Sequence, residues 1–323
     1  MADASDTATP DATAPDATAP DATAPVPRLD AAELLEQLRT TTGAELELVG
    51  PLPGGQVGAA LVRWPDGHEG VLTQWGPTDS DRATDVAFAR IGRTGELLDL
   101  ARGAGIPAPR HELVARLPDR IAVVQQRLAG EPPERVDLAL VEHMVAIAGR
   151  GAGLLRGRSD VPAAELHLLR SGPGFCLHQP LAQYDERTRR LLDVVRRIGA
   201  ASPHRMAGDD LVHLDLHPGN VLVDRTGAVT GVVDWDGAAR GDHRFALVTL
   251  RFDLAVPGVD ARDRSARSAA ARWLDNRIDD VFDPATLRAY WAHMGLRMVD
   301  WAIRHHGPDD VDRWLAVAAS RLA

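Results

Sequence analysis

The chain has 323 residues, enough to bury a large core as one big domain or as two lobes. Hydrophobic residues at 45% and charged residues at 25% are the proportions of a soluble globular protein, not of a disordered or fibrous one. The net charge of −10, with arginine in place of every lysine, argues against the basic stripe that a nucleic-acid surface needs.

The single cysteine, Cys176, cannot form an intramolecular disulfide, and no Cys/His spacing suggests zinc. No apolar run approaches the ~20 residues of a membrane span. The first residues carry neither a basic nor an apolar signal region, so the expectation is a cytoplasmic protein without membrane or nucleic-acid partners.

Residues 1–27 are of low complexity, with the pentad Asp-Ala-Thr-Ala-Pro repeated from Asp11 to Pro25. With no large apolar side chains there, burial cannot offset the ordering entropy, and an extended tail is expected. The fold is expected to begin near Arg28. Asp30 and Glu33 have capping-box character, and Leu34, Leu35 and Leu38 follow at helical spacing. Strands are predicted over 46–49, 59–64 and 70–75, the last two joined by a turn at Pro65-Asp66-Gly67. Between the first two lie Gly54, Gly55 and Gly58, where backbone N–H groups could approach a phosphate. The same glycines also suit an ordinary hairpin turn. A helix is predicted over 82–102 and a strand over 121–126. Beyond that the pattern turns helical, over 136–155, 187–198, 242–254 and 264–281. Asp242 reads as the N-cap of the third of these. Residues 156–180, rich in Gly, Pro and Ser, read as an irregular insert. Asp283-Pro284 opens a helix to His306, and Asp309 opens the last one. The aromatic stripe on the helix from Pro284 reads first as core. The other reading lets Trp291, Asp300 or His305 line an acceptor pocket.

The most informative stretch runs from His213 to Asp236. Two β-branched runs, 221–223 and 229–233, flank Asp224-Arg-Thr-Gly227, which is a hairpin signal. If Asp224 pairs with Ala228, Asn220 lies opposite Val232 and Asp234 lies two residues on, about 7 Å along the strand. The hairpin thus brings Asn220 and Asp234 to its open end, with Asp215 on the loop leading into it. Hard oxygen ligands such as Asp234 and Asn220 suit Mg²⁺, which takes the rest of its shell from water and phosphates. A separate Asp215 can accept the proton of an acceptor hydroxyl. The pattern therefore points to phosphoryl transfer.

The residues His213-Leu-Asp215-Leu-His217-Pro-Gly-Asn220, the hairpin, and Asp234-Trp235-Asp236 resemble the catalytic and metal loops of the aminoglycoside phosphotransferase family, whose fold is similar to that of eukaryotic protein kinases. That family shows Gly where this chain has Leu214 and Glu where it has Asp236. The resemblance implies an α+β, two-lobed kinase-like fold. A small sheet lobe would span 28–128 and a larger helical lobe 129–323. It implies ATP and Mg²⁺ as cofactors, Asp215 as base, and Asn220 and Asp234 as metal ligands. Gly54, Gly55 and Gly58 would form the nucleotide loop. Gln126 and Leu128, before Gly130-Glu131-Pro132, would form the hinge that takes adenine through its backbone. Glu96 would be the helix glutamate that pairs with a strand lysine. That lysine belongs near Thr73 and is absent, leaving Arg63, Arg82 or Arg93 as substitutes. A family aspartate is also replaced, by Ala246. The implied reaction moves the γ-phosphate of ATP to the hydroxyl of a small molecule. Alternatives are a peptide Ser/Thr kinase and a non-catalytic pseudokinase binding module.

Overall fold

The computed structural model describes residues 28–52, 57–78 and 80–322. The 1–27 tail, Gly54 and Gly55 lie outside them. The first helix, α1 (Ala31–Thr42), starts where expected because the Asp30 carboxylate accepts from the Glu33 N–H. Then come β1 (Glu47–Leu52), β2 (Ala59–Arg63), β3 (Glu69–Trp75), α2 (Asp81–Gly103), β4 (His111–Arg116) and β5 (Ile121–Gln126). The five strands form one antiparallel sheet in the order β1-β2-β3-β5-β4.

Strand alternation gives the sheet two apolar faces. Ala60, Val62, Leu72, Ala122 and Val124 pack against Leu34 and Leu38 of α1. Ile121 and Val123, with Trp75, pack against Ile91 of α2. Further along α2, Leu97, Leu98 and Ala101 enter a different core, that of the C-terminal half. One helix therefore ties the sheet to the helical region.

That region comprises α3 (Leu138–Gly149), α4 (His178–Tyr184), α5 (Glu186–Ala200), α6 (Phe245–Asp253), α7 (Ala261–Val281), α8 (Pro284–His305) and α9 (Pro308–Ala319). Phe252 lies 4.9 Å from Trp291 between ring centroids, deep in this core. Between α5 and α6 lie β6 (Asp210–Val212), β7 (Val221–Val223), β8 (Val229–Val232) and β9 (Ala239–Gly241). β7 pairs with β8, and β6 pairs with β9. The second pairing brackets the informative stretch, because β6 leads into His213 and β9 follows Asp236. Among the described residues, no helix is long and apolar enough to cross a membrane.

Several expectations change. The strand β4 and the short helix α4 were not foreseen. Asp242 is not the N-cap of α6. That position is Arg244, and the Asp242 carboxylate accepts from the Arg244 backbone and guanidinium and from the Tyr290 hydroxyl. The last helix starts at Pro308, after Gly307, rather than at Asp309. Trp291 and Asp300 are fully buried, so neither lines a pocket; Asp300 is paired with Arg304 and accepts from the Leu177 N–H. His305 is exposed and its ring lies tilted against Trp301, 4.1 Å between centroids.

Candidate active site

The loop from His213 to Asn220 is held by its own backbone. His213 is buried; its Nε2 donates to the Val233 carbonyl at 2.9 Å, and its Nδ1 accepts from the Asp215 N–H at 3.3 Å. These two bonds require the neutral imidazole. Burial holds its pKa down at about 4. Leu214 sits at φ 64°, in the left-handed region, where a residue with Cβ costs roughly 1–2 kcal/mol. This is the position the resembled family fills with Gly. His217 accepts from the Gly219 N–H and starts a 3₁₀ turn, Pro218–Asn220.

The depressed His213 pKa has a stability consequence of definite sign. The unfolded ring has the ordinary value of 6.5 and takes up a proton that the folded ring refuses. This contribution is present above pH 6.5 and is lost as pH falls toward 4. A His213→Gln chain should melt lower than the parent at pH 7, and the gap should narrow steadily toward pH 4. A gap that stays constant in thermal melts across that range would remove His213 from the account.

The hairpin forms as expected at its turn, where the Asp224 N–H donates to the Ala228 carbonyl. Its register differs. Val221 pairs with Val232 and Leu222 with Gly231, and a bulge then brings Val223 opposite Val229. Thr230 is the extra residue; its hydroxyl donates to the Ala129 carbonyl. One residue of shift puts Asn220 beside Val233, whose N–H donates to the Asn220 carbonyl. Asp234 is then one residue beyond, closer than the simple hairpin implied. Its φ of 63° turns the chain there. The Asn220 side-chain amide donates to the Asp215 carbonyl at 3.0 Å, so the loop from His213 and the hairpin are tied directly.

Asp215 has a second anchor that the sequence did not announce. Arg297 of α8 places Nη2 2.9 Å from its Oδ1 and donates from Nη1 to the Leu214 carbonyl. The same guanidinium lies 5.8 Å from the ring of Phe175, a partly exposed aromatic of the 156–180 insert.

Asp215, Asn220 and Asp234 are thus brought to one place by three local devices: the His213 anchor, the 3₁₀ turn and the bulged hairpin. A model of the phosphotransferase enzyme family matches residues 71–297, well over half of the chain. The chain belongs to that family. No curated protein sequence matches it. Among solved structures it is similar to aminoglycoside phosphotransferase APH(4)-Ia in a ternary complex with AMP-PNP and hygromycin B. The TM-score is 0.61 at 18% identity, covering 90% of this chain and 98% of that one. It is also similar to an aminoglycoside-3′-phosphotransferase of type VIII (TM-score 0.53, 20% identity, 81% and 98% covered). A third is APH(3″)-Id from Streptomyces rimosus ATCC10970 with ADP and streptomycin (TM-score 0.52, 19% identity, 83% and 98% covered). At such identities these structures speak for the kinase-like fold. The protein is a kinase-like enzyme of the phosphotransferase family.

The other candidate residues of this phosphotransferase fall as follows. Gly58 is at φ 84°, a conformation that favours glycine, at the end of the loop before β2. Gln126 ends β5, and its N–H is taken by the Arg110 carbonyl. Leu128 packs its side chain over Gly231, at the base of the hairpin. Glu96 stands apart: its side chain is 63% exposed and pairs with Arg158, in the segment after α3. The inward position of that turn is Thr94, which is buried. Two residues rotate a helix by about 200°, so Thr94 and Glu96 face nearly opposite ways. Neither Thr73 nor Thr94 can form the strand–helix ion pair of kinase-like folds. Arg63 does not substitute, because Glu47 and Glu69 hold it at the far end of β2.

Asp234 is exposed to water, but protein crowds its carboxylate. That withdrawal from bulk water, with Asp236 and Asp215 nearby, pushes its pKa up to about 6. Burial likewise raises Asp236, against the opposing pull of the Trp75 N–H and Arg90.

Proposed function

We propose that the enzyme transfers the γ-phosphate of ATP to a hydroxyl of a small molecule, with Asp215 as base and Asn220 and Asp234 as the residues that hold Mg²⁺. The observation that carries this reading is the convergence of Asp215 and Asn220 through the 3.0 Å amide–carbonyl bond, with Asp234 next along the bulged strand.

The donor set fits a hard divalent cation. Asn220 spends its NH₂ on the Asp215 carbonyl, which leaves its amide oxygen as an acceptor. Asp234 carries a carboxylate whose charge is disfavoured by burial and then by its acidic neighbours, which is the state a cation relieves. When bound, Mg²⁺ neutralises charge on the phosphate oxygens. The chain's own groups do the rest. Arg297 occupies Oδ1 of Asp215 and fixes the carboxylate, so Oδ2 is the oxygen offered to the acceptor. The acceptor O–H gives its proton to that oxygen. The acceptor oxygen forms a bond to the γ-phosphorus, and the bond from phosphorus to the bridging oxygen breaks, leaving ADP with the electron pair. Acceptors would reach Asp215 past Phe175 and Arg297. Adenine would lie at the hinge, against the Gln126 carbonyl and the Leu128 N–H. On this reading the lobes divide there, near residue 128.

The similar structures named above hold hygromycin B and streptomycin, which makes aminoglycosides the first acceptors to screen. The direct test is calorimetric titration with ATP, with and without Mg²⁺, followed by a screen of hydroxyl compounds for ADP release. Metal-dependent ATP binding and turnover with at least one acceptor are expected. Absence of nucleotide binding at millimolar ATP would overturn the reading and leave a non-catalytic binding module, as the missing strand lysine would suggest.

A further inference from the structure

The lysine that kinase-like folds carry on this strand belongs near Thr73, and the chain has no lysine to replace it. What the sheet presents to the metal loop is Trp75, on the same face of β3 two residues on. Its indole Nε1–H donates to Oδ2 of Asp236 at 3.0 Å. Arg90, from the middle of α2, lies over the same indole, 4.7 Å from the ring centroid. Its Nη2 donates to the Asp236 backbone carbonyl at 2.8 Å. Asp236 is thus gripped at two points, its carboxylate by β3 and its carbonyl by α2. The two grips also touch each other through the stacked guanidinium.

The gripped residue is two positions from Asp234, which holds a left-handed φ of 63°. A backbone of that kind persists only where its surroundings over-determine it. On the side of the helical half, the Val233 N–H is bonded to Asn220 and the Trp235 indole to the Val232 carbonyl. On the side of the sheet, the two bonds to Asp236 are what fasten the turn. The lysine–glutamate pair of kinase-like folds joins strand and helix, and must be in place together with the metal-loop aspartate. Here the strand has no lysine near Thr73, and Glu96 is turned out to Arg158.

We propose that Trp75 and Arg90 form a clamp on Asp236 that takes over the positioning part of the missing ion pair. The clamp fastens the metal loop to β3 and α2, so that Asp234 is held in the geometry that receives the metal–nucleotide complex. Both are positioning residues; neither is assigned a contact with substrate. Asp236 in place of the family's glutamate is the residue the clamp grips. The inference deepens the function proposed above and rests on it only for its nucleotide readout.

The test uses the full chain and three variants. Trp75→Phe keeps an aromatic ring and removes only the indole donor. Arg90→Lys keeps a cation, and Arg90→Met keeps bulk without charge. Amide hydrogen exchange over residues 232–238 is measured in the metal-free, nucleotide-free protein, beside thermal melting. Trp75→Phe and Arg90→Met should each speed exchange there by about three- to tenfold, the effect of losing one partly buried hydrogen bond. Arg90→Lys should fall between parent and Arg90→Met. In titrations at fixed ATP, the Mg²⁺ concentration for half-saturation should rise by the same factor. ATP affinity without Mg²⁺ should stay at the parent's value. Unchanged exchange in both Trp75→Phe and Arg90→Met would overturn the clamp. A loss of metal-free ATP affinity as large as the metal-dependent loss would also overturn it, by making Arg90 a phosphate contact. If the parent binds no nucleotide, the proposed function fails, and the exchange measurement still decides the clamp.

Discussion

Replacing Asp215 by Asn is expected to lower kcat by ~10² to 10⁴-fold, the usual contribution of a positioned general base. The structure says why the main effect should be on chemistry. The contacts that hold the loop at Asp215 use its backbone: its N–H donates to His213 and its carbonyl accepts from Asn220. Neither is touched by the substitution. The new amide oxygen can still accept from Arg297, which also keeps its bond to the Leu214 carbonyl. What is lost is the basicity of the oxygen offered to the acceptor. Arg297 loses its counter-charge while only 23% exposed, so a small drop in melting temperature is also expected. Steady-state kinetics on any acceptor from the screen, beside ATP titration of the variant, makes the check. Nucleotide affinity should stay within a few-fold of the parent. A variant that keeps parental kcat would show that Asp215 is not the base, and one that unfolds would make Asp215 a structural residue of the loop.

The parts of the site legible in the sequence are those built from neighbours in the chain. The run His213 to Asn220 and the hairpin after it are short-range structures, and their residue types carry their own geometry. The family match and the kinase-like fold agree with the family and fold that this run implies. The parts that were not legible depend on distant pairing. Arg297 reaches Asp215 from α8, and no periodicity on that helix separates it from the other arginines. Trp75 and Arg90 meet Asp236 only once the sheet, α2 and the hairpin have assembled. Sequence cannot choose among Arg63, on the neighbouring strand, Arg82 and Arg93 as substitutes for the missing lysine, whereas Arg90 reaches the Asp236 backbone. Glu96 points out to Arg158, because its place on α2 puts it on the exposed face, which the sequence pattern alone does not fix. The Thr230 bulge moved Asn220 by one position, because a β-branched run does not announce where its extra residue sits. The helix α4 was hidden by its length, by an internal proline and by the absence of a side-chain cap.

Asp234→Asn should separate stability from function, with opposite signs. The carboxylate's pKa is raised to about 6 in the metal-free fold, above the ordinary value of 3.8, so folding favours the protonated form. Its ionisation therefore costs the fold stability as pH rises from about 4 to 6, and the cost persists above that. Asparagine has no charge to disfavour and nearly the same shape, and it tolerates the left-handed backbone at this position. The variant should melt higher than the parent at pH 8 without metal, and the two should converge below pH 4, where the parent's carboxyl is protonated anyway. Metal binding should move the other way. Loss of partners that merely orient a ligand costs about 10–100-fold in metal affinity, and removal of a ligand should cost at least that. Mg²⁺ should accordingly no longer strengthen ATP binding, and turnover should fall to near background. Melting curves at pH 4 and pH 8, with and without Mg²⁺ and ATP, measure both effects on one sample. A variant that melts lower than the parent at pH 8 would mean that Asp234 stabilises the turn rather than straining it. One that keeps its Mg²⁺ dependence would move the metal away from Asp234 altogether.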